Sequence, residues 1–403
     1  MKFGTGLLVT TTAVFVAIGS ANVAKAALRY RIEMIGPPPS RELRQSVHSI
    51  GGLNNLGEVA FNYSHQVPTT PTYSENIIYS YLATASGTIA IPDLGGPRVV
   101  AMGLTDSSVV VGGASSADTY QTGSYEQHYQ VPFFSKAGDT QGIPTPYQGS
   151  SFAAAVNNRG EAAGSTWSPT GGTTAFKWSE SEGYVELGNF GAEYVHVTDI
   201  NEGGDILLNL PSDEVLEYGE TYLYNGMEAV IVNAGSIERL PSSKFGITIG
   251  WAINDFGRVV GEFGSVPGSE SHAFIWNSAT GFQDLGLQGE HSYATGINNS
   301  GVVIGAFAAT FQQPATPFVY TEEDGRRPLI ELIDNLTGWT SLESAAHIND
   351  RGQIVGIGQL GYSFSSRRIY LATPIPEPAM LTSAIIVAGC MATTSRACGG
   401  RRR

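Results

Sequence analysis

The sequence predicts an all-β chain folded as a β-propeller of seven blades, and three observations carry that prediction. One short element recurs seven times between residues 50 and 372. Its spacing, near fifty residues, leaves room for about four short strands per copy. The first and last parts of the repeating body are each incomplete, and each supplies what the other lacks.

The recurring element is clearest in three places. They are Ile253-Asn254-Asp255-Phe256-Gly257-Arg258-Val259-Val260-Gly261, Ile297-Asn298-Asn299-Ser300-Gly301-Val302-Val303-Ile304-Gly305 and Ile348-Asn349-Asp350-Arg351-Gly352-Gln353-Ile354-Val355-Gly356. Degraded copies begin at Leu53-Asn54-Asn55, Leu104-Thr105-Asp106, Val156-Asn157-Asn158 and Ile200-Asn201-Glu202. The repeat-turn residues are therefore Asn54, Thr105, Asn157, Asn201, Asn254, Asn298 and Asn349, separated by 51, 52, 44, 53, 44 and 51 residues.

Each copy reads the same way. An apolar residue ends one strand. Asn and Asp tolerate left-handed backbone and bond their own chain, and a Gly three residues after the Asn supplies positive φ. A Val- and Ile-rich strand follows, which makes a hairpin. A second alternating strand comes next, as in Ala273-Phe274-Ile275-Trp276, Ala175-Phe176-Lys177-Trp178 and Pro317-Phe318-Val319-Tyr320. A Gly turn leads to a third strand ending in Leu-Gly, as in Phe282-Gln283-Asp284-Leu285-Gly286. No stretch of the body keeps a helical period. Modules of this kind cannot bury both faces alone, so they stack around an axis.

The last copy has its turn and two strands, the second at Arg368-Ile369-Tyr370-Leu371, but no third. Residues 28 to 36 precede the first turn with one strand, Leu28-Arg29-Tyr30-Arg31-Ile32-Glu33-Met34-Ile35-Gly36, and no module of their own. The expectation is a ring closed by strands from both ends, which also removes a free sheet edge.

The segments flanking this body read as addresses. Residues 1–26 have a Lys2 n-region, an apolar stretch and Ala24-Lys25-Ala26, the small-x-small pattern of a secretory signal cut before Ala27. Residues 27–372 form the repeat body. Residues 373–403 carry Pro376-Glu377-Pro378, a charge-free run from Ala379 to Ser395, then Arg396 and Arg401, Arg402 and Arg403. Seventeen residues is the lower limit for a membrane-crossing helix, and the arginines fit a cytoplasmic end.

This tail resembles the bacterial PEP-CTERM sorting signal, which implies recognition by an exosortase-like transpeptidase after transient anchoring in the inner membrane. His272-Ala273-Phe274, Asp284-Leu285-Gly286 and the Ile-Asn-x-x-Gly-x-Val-Val-Gly element resemble the bacterial extracellular HAF repeat. The resemblance covers most of residues 50 to 372, is specific in the second half, and is weak around 110–150 and 205–250. It implies fold and an exported location, and no reaction.

Composition limits the partners. The body holds 16 Lys and Arg against 35 Asp and Glu, a net charge of −19, which excludes nucleic acid and anionic lipid. An exopolysaccharide or surface-protein ligand is the expectation from a rigid ring with loops on two faces. Both cysteines, Cys390 and Cys398, lie in the tail, so no disulfide staples the body.

No serine has glycine at both flanking positions, so a nucleophile elbow is absent. Carboxylates for a glycosidase-type pair could come from Asp199, Glu202, Asp205, Asp255, Glu322, Glu323, Asp324 or Asp350, most of them at repeat turns. Seven scattered histidines, His48, His65, His128, His196, His272, His291 and His347, show no ligand spacing, and strand positions account for His272 and His347. Turn oxygens such as those of Asn254-Asp255 and Asn349-Asp350 suit calcium at most as a weak structural ion, and no other cofactor is expected. The repeated aromatics Phe176, Trp178, Phe274, Trp276, Phe318 and Tyr320 read as packing residues. Tyr120, Tyr125, Tyr129 and Tyr147, outside the repeat, are the ligand-contact candidates. Asn62-Tyr63-Ser64, Asn298-Asn299-Ser300 and Asn335-Leu336-Thr337 match the glycosylation sequon but read as turns.

Overall fold

Seven four-stranded antiparallel blades make up the body, in a computed structural model that describes residues 28 to 376. Short internal stretches are excluded from the description: 37–44, 69–73, 123–124, 170, 219–221, 234, 242–245, 265–269, 311–312 and 362–365. Glu377, Pro378, Arg401, Arg402 and Arg403, and Ala24, Ala26 and Ala27, lie outside the described residues. Pro376 is the last described position. Among the described residues no helix is long and apolar enough to cross a membrane.

After β1 (Tyr30–Ile35), blade 1 comprises β2 (Gln45–Leu53), β3 (Val59–Pro68), β4 (Ser74–Thr84) and β5 (Gly87–Ile91). Blade 2 comprises β6 (Gly95–Leu104), β7 (Val110–Thr122), β8 (Tyr125–Lys136) and β9 (Asp139–Gly142). Blade 3 is β10 (Ser151–Val156), β11 (Ala162–Trp167), β12 (Thr173–Ser179) and β13 (Gly183–Gly188). Blade 4 is β14 (His196–Ile200), β15 (Ile206–Tyr218), β16 (Tyr222–Asn233) and β17 (Ser236–Arg239). Blade 5 is β18 (Ile247–Ile253), β19 (Val259–Gly264), β20 (Ser271–Asn277) and β21 (Gly281–Asp284). Blade 6 is β22 (His291–Ile297), β23 (Val303–Ala308), β24 (Thr316–Thr321) and β25 (Gly325–Pro328). Blade 7 has three strands of its own, β26 (Trp339–Ile348), β27 (Ile354–Leu360) and β28 (Arg367–Pro374).

The missing strand of blade 7 is β1. It pairs antiparallel with β28 from Tyr30↔Pro374 to Ile35↔Ile369, as the incomplete ends predict. Tyr30 is buried, and its carbonyl accepts a bond from the Asp334 N–H at 3.0 Å. Blade 7 also packs on blade 1: Val355, Ile369 and Leu371 form one apolar cluster with Val47, Val59, Phe61 and Tyr63. Two blade pairs are stitched further by single parallel bridges, Ile78↔Arg98 between blades 1 and 2 and Met227↔Ile247 between blades 4 and 5.

The core lies between facing blades. One cluster joins Ala155, Ala163 and Ala175 of blade 3 to Val197, Leu208 and Val230 of blade 4. Another joins Val260, Ala273 and Ile275 of blade 5 to Val303 and Phe318 of blade 6. Phe176, Trp178, Phe274, Trp276, Phe318 and Tyr320 are all buried, the packing role their recurrence implies. The weakly patterned regions prove to be hairpins whose ends run past the repeat, β7–β8 and β15–β16. Tyr120 and Tyr129 lie on the first of these, with ring centroids 4.8 Å apart, and Tyr125 begins its return strand.

The Gly of Val-Val-Gly has a packing reason. A Cβ on Gly261 would sit 1.9 Å from the Ile249 carbonyl oxygen on the neighbouring inner strand, and one on Gly356 would sit 2.0 Å from the Ser344 oxygen. Every inner strand carries a register shift beside this contact, as between Gly250 and Ala252 or Ala345 and His347. In five blades, at Gly112, Gly164, Gly261, Gly305 and Gly356, the backbone of the bulged strand comes so close that only glycine fits, whereas blades 1 and 4 carry Phe61 and Leu208 at this position. Gly261→Ala is therefore expected to lower unfolding stability by about 1–3 kcal/mol, as overpacking does. Gly281→Ala, where a Cβ meets nothing within 4 Å, carries only the penalty of its positive φ. Denaturant midpoints of the two variants measure the difference.

Candidate functional site

All seven inner strands end in the repeat turn, with Asn in six blades and Thr105 in blade 2, and the turns converge around one axial cavity of about 220 Å³. Asn54 shows what each turn does. Its side-chain oxygen accepts from the N–H groups of Leu56 (3.0 Å) and Glu58 (2.9 Å), closing its own turn. Its amide nitrogen donates to the Glu58 carboxylate (2.8 Å) and to the Thr105 carbonyl of the next blade (3.0 Å). Both acceptor sites and both donors of a buried amide are thus used, a set that neither Asp nor Ser can reproduce.

The interblade link repeats around the axis. Asn157 donates to the Asn201 carbonyl, Asn201 to Asn254, Asn254 to Asn298 and Asn298 to Asn349, each at 3.1 Å, and Asn349 returns to Asn54 at 2.8 Å. Blade 2 is the exception. Thr105 bonds Val109 N–H and Ser107 within its own turn, so the ring has six links among the described residues.

The residues following these asparagines close a second ring without a gap. The N–H of Asn55 donates to Asp106, Asp106 to Asn158, Asn158 to Glu202, Glu202 to Asp255, Asp255 to Asn299, Asn299 to Asp350, and Asp350 to Asn55, at 2.6 to 3.0 Å. This corrects the expectation that Asx bonding of their own turns occupies Asp255 and Asp350: their carboxylates serve the preceding blade. Left-handed backbone is not theirs either. It falls on Gly57, Gly160, Gly204, Gly257, Gly301 and Gly352, and in blade 2 on Ser108.

Four carboxylates, Asp106, Glu202, Asp255 and Asp350, therefore surround the mouth, kept apart in part by amides. Asn299 donates to Asp255 (2.6 Å) and Asp350 (3.0 Å), and Asn55 and Asn158 both donate to Asp106 (3.2 Å). Burial, with Asp255 and Asp106 nearby, raises the Glu202 pKa against the N–H bond it accepts. Asp205 instead accepts from Asn201 in its own turn (2.8 Å), and Glu322 pairs with Arg258 (3.2 Å). Among the described residues no three His, Cys, Asp or Glu side chains form a metal-holding group.

Beneath the turns, Leu53, Leu104, Val156, Ile200, Ile253, Ile297 and Ile348 form an apolar ring lining the mouth cavity. Five of them also line a second cavity of about 210 Å³ further along the axis. There the bulges matter, because they bring two consecutive residues to the channel in blades 1 to 6, and His347 in blade 7. Most are small: Gly51, Gly52, Gly103, Ala154, Ala155, Ala252 and Gly296. Asp199 and His347 break the pattern, at the same position in blades 4 and 7. Both were expected to serve turns or strand packing; the bulge turns them into the lumen instead.

Asp199 accepts from the N–H groups of Ile200 (2.8 Å) and Ile253 (2.9 Å). Its surface is partly open to the channel but walled by protein, and that burial pushes its pKa up to about 7 despite the two N–H donors, with Asp255 adding repulsion. His347 has one ring nitrogen 3.4 Å from the Ile50 carbonyl, and burial lowers its pKa. His272 lies elsewhere, 2.9 Å from Asp284, whose other oxygen accepts from Gly286 N–H at 2.8 Å. That clamp explains why His-Ala-Phe and Asp-Leu-Gly occur together in blade 5.

Trp251 and Thr295 line the axial cavity and also a side pocket of about 500 Å³ between blades 5 and 6. Its walls include Trp251, Glu262, Ser271, His291, Tyr293 and Ala308. Trp251 is 42 % exposed, and its indole N–H lies 3.4 Å from Glu262. None of these was singled out by sequence except His291. The one available signal was Trp251 itself, a large aromatic where the other inner strands carry Gly, Ala, Thr or Met.

No family model and no curated protein matches the chain. Among solved structures it is similar to the Pyrococcus horikoshii acylaminoacyl peptidase, at 10 % identity and a TM-score of 0.51. That match covers 88 % of this chain and 56 % of the peptidase, so this chain spans little more than half of it. It is also similar to the β-propeller domain of the Trilobed protease from Pyrococcus furiosus, at 10 % identity, a TM-score of 0.49, and 82 % and 99 % coverage. The likeness to the peptidase shows a β-propeller fold.

Thr105→Asn would supply the missing donor of the inner ring and is expected to raise stability by about 0.5–1.5 kcal/mol, read as an upward shift in thermal midpoint. Asp199 holds its proton more tightly when folded than when unfolded. Its contribution to stability is full below its ordinary 3.8 and is lost as pH rises to about 7. Subtracting the pH-stability profile of Asp199→Asn from that of the native chain should isolate this decline. A carboxyl NMR titration should find the Asp199 midpoint near 7.

Proposed function

We propose that the chain is an exported, non-catalytic propeller that presents a binding surface at the cell surface or in the extracellular matrix. The observation that supports this reading is the state of the mouth carboxylates. Each of the four accepts a backbone N–H from the neighbouring blade, so they act as structural acceptors and not as free acid and base. A glycosidase-type mechanism requires two carboxyl groups flanking the scissile bond. Among the described residues Asp199 is the only carboxylate lining the second, deeper axial cavity.

Export by a signal cut before Ala27, and sorting at Pro376-Glu377-Pro378 by an exosortase-like enzyme after transient inner-membrane anchoring, complete the reading. The sequence of the two ends supports it, and so does the acidic body. The partner this favours is an exopolysaccharide or another surface protein.

One observation favours a secreted carbohydrate-active enzyme instead. A carboxyl group titrating near 7 inside a channel has the proton affinity of a general acid or base. It lacks the second carboxylate in that cavity, so binding remains the better reading.

Intact-mass spectrometry of the protein from the envelope and medium of its native host tests the processing. The expected species begins at Ala27 and ends close to Pro376–Pro378. Recovery of external protein that still carries Arg401 to Arg403 would overturn the sorting step.

A further inference from the structure

The side pocket between blades 5 and 6 differs from both axial cavities. It is predominantly apolar in lining, and two aromatic side chains, Trp251 and Tyr293, stand in its wall. Among the described residues Glu262, on β19, is the one carboxylate lining it, and no Lys or Arg does. Trp251 is held with its N–H toward that carboxylate, which fixes the ring against the pocket. The Trp occupies a bulge position that other blades fill with Gly51, Met102, Ala154, Thr198, Thr295 or Ala346, so blade 5 departs from the repeat here.

Hydrogen bonds from Trp251 and Ser271 offset part of the cost of a partly buried carboxylate in an apolar wall, and a ligand of opposite charge would offset more. The aromatic rings of Trp251 and Tyr293 in the same wall attract a cation that meets their faces, through the ring quadrupole. Burial raises the Glu262 pKa, while Trp251, Ser271 and the nearby His291 act to keep it ionised. A neutral sugar would leave the charge unanswered, and an anion would be repelled by it and by the acidic body.

We propose that the pocket formed by Trp251, Glu262 and Tyr293 binds an organic ammonium group, with the carboxylate as counter-ion and the aromatic rings as its wall. A cavity of about 500 Å³ admits one or two sugar rings or a lysine side chain with its neighbours. An unacetylated amino sugar and a lysine share this chemistry. The proposal deepens the binding-module reading and rests on it.

Titration calorimetry on the full-length chain tests it with four probes: the glucosamine disaccharide, its N-acetylated form, a neutral glucose disaccharide and lysine amide. Binding of an amine probe at least about tenfold tighter than the acetylated and neutral sugars is expected. Glu262→Gln and Trp251→Ala should each weaken it by about tenfold while leaving the thermal midpoint within a few degrees. Preference for the glucosamine disaccharide over lysine amide assigns the site to an amino polysaccharide, and the reverse assigns it to a protein ligand. Equal affinity for charged and acetylated sugars, no binding of any amine, or full affinity in Glu262→Gln overturns the proposal. Should Trp251→Ala unfold, Trp251→Phe, which keeps an aromatic wall, must retain most of the affinity. Cleavage of a bound disaccharide would refute the non-catalytic reading and leave the ammonium site standing.

Discussion

Seven twisted sheets can share one axis only if their crowded inner turns satisfy their polar groups against one another. The buried Asn amides solve this at low cost in chain. Each closes its own turn with its oxygen and reaches the next blade with its nitrogen, so turn formation and blade-to-blade register are the same event. The second ring adds a bond from backbone N–H to side-chain oxygen at all seven junctions, including the one between blades 7 and 1. A body without cysteines is thereby locked by hydrogen bonds at the axis, by apolar packing between blades, and by β1 at the rim.

The same crowding sets where chemistry can appear. In five blades the inner strand approaches its neighbour closely enough to require glycine, and every inner strand carries a bulge. The bulge brings two consecutive residues to the lumen in blades 1 to 6, and His347 in blade 7. Most of these positions hold small residues, which keeps the channel open. Blades 2, 4, 5 and 7 depart: Met102, Asp199, Trp251 and His347 line the deeper axial cavity, and Trp251 also lines the side pocket. Repetition builds the scaffold, and the breaks in repetition mark its distinct surfaces.

Electrostatics follow from the two rings. Four acids around a narrow mouth would repel one another, yet the interleaved Asn55, Asn158 and Asn299 donate to three of them. Glu202 is the acid that gets a backbone donor but no amide from a neighbouring asparagine in this set, and its pKa is displaced upward. The mouth is therefore a structural device, and away from it Asp199 and Glu262 carry a burial penalty that their hydrogen bonds only partly offset and that a ligand or a proton would relieve.

The sequence alone determined the number of blades, the strand order within them, the identity of the turn residues and the exchange of a strand between the two ends. Those features depend on local pattern: Asn and Gly at fixed spacing, Val and Ile runs after them, and a missing strand at one end matched by an extra one at the other. Only the tertiary structure decided what the polar turn residues bond, because Asn299 and Asp350 are partners across 51 residues of chain. It also decided that Asp199 and His347 face the lumen. A bulge shifts alternation by one position, so counting inward and outward residues along β14 or β26 fails at the place where the channel is lined. The side pocket needed packing of two blades, Glu262 from one against Tyr293 from the other, and no spacing within either repeat encodes that meeting.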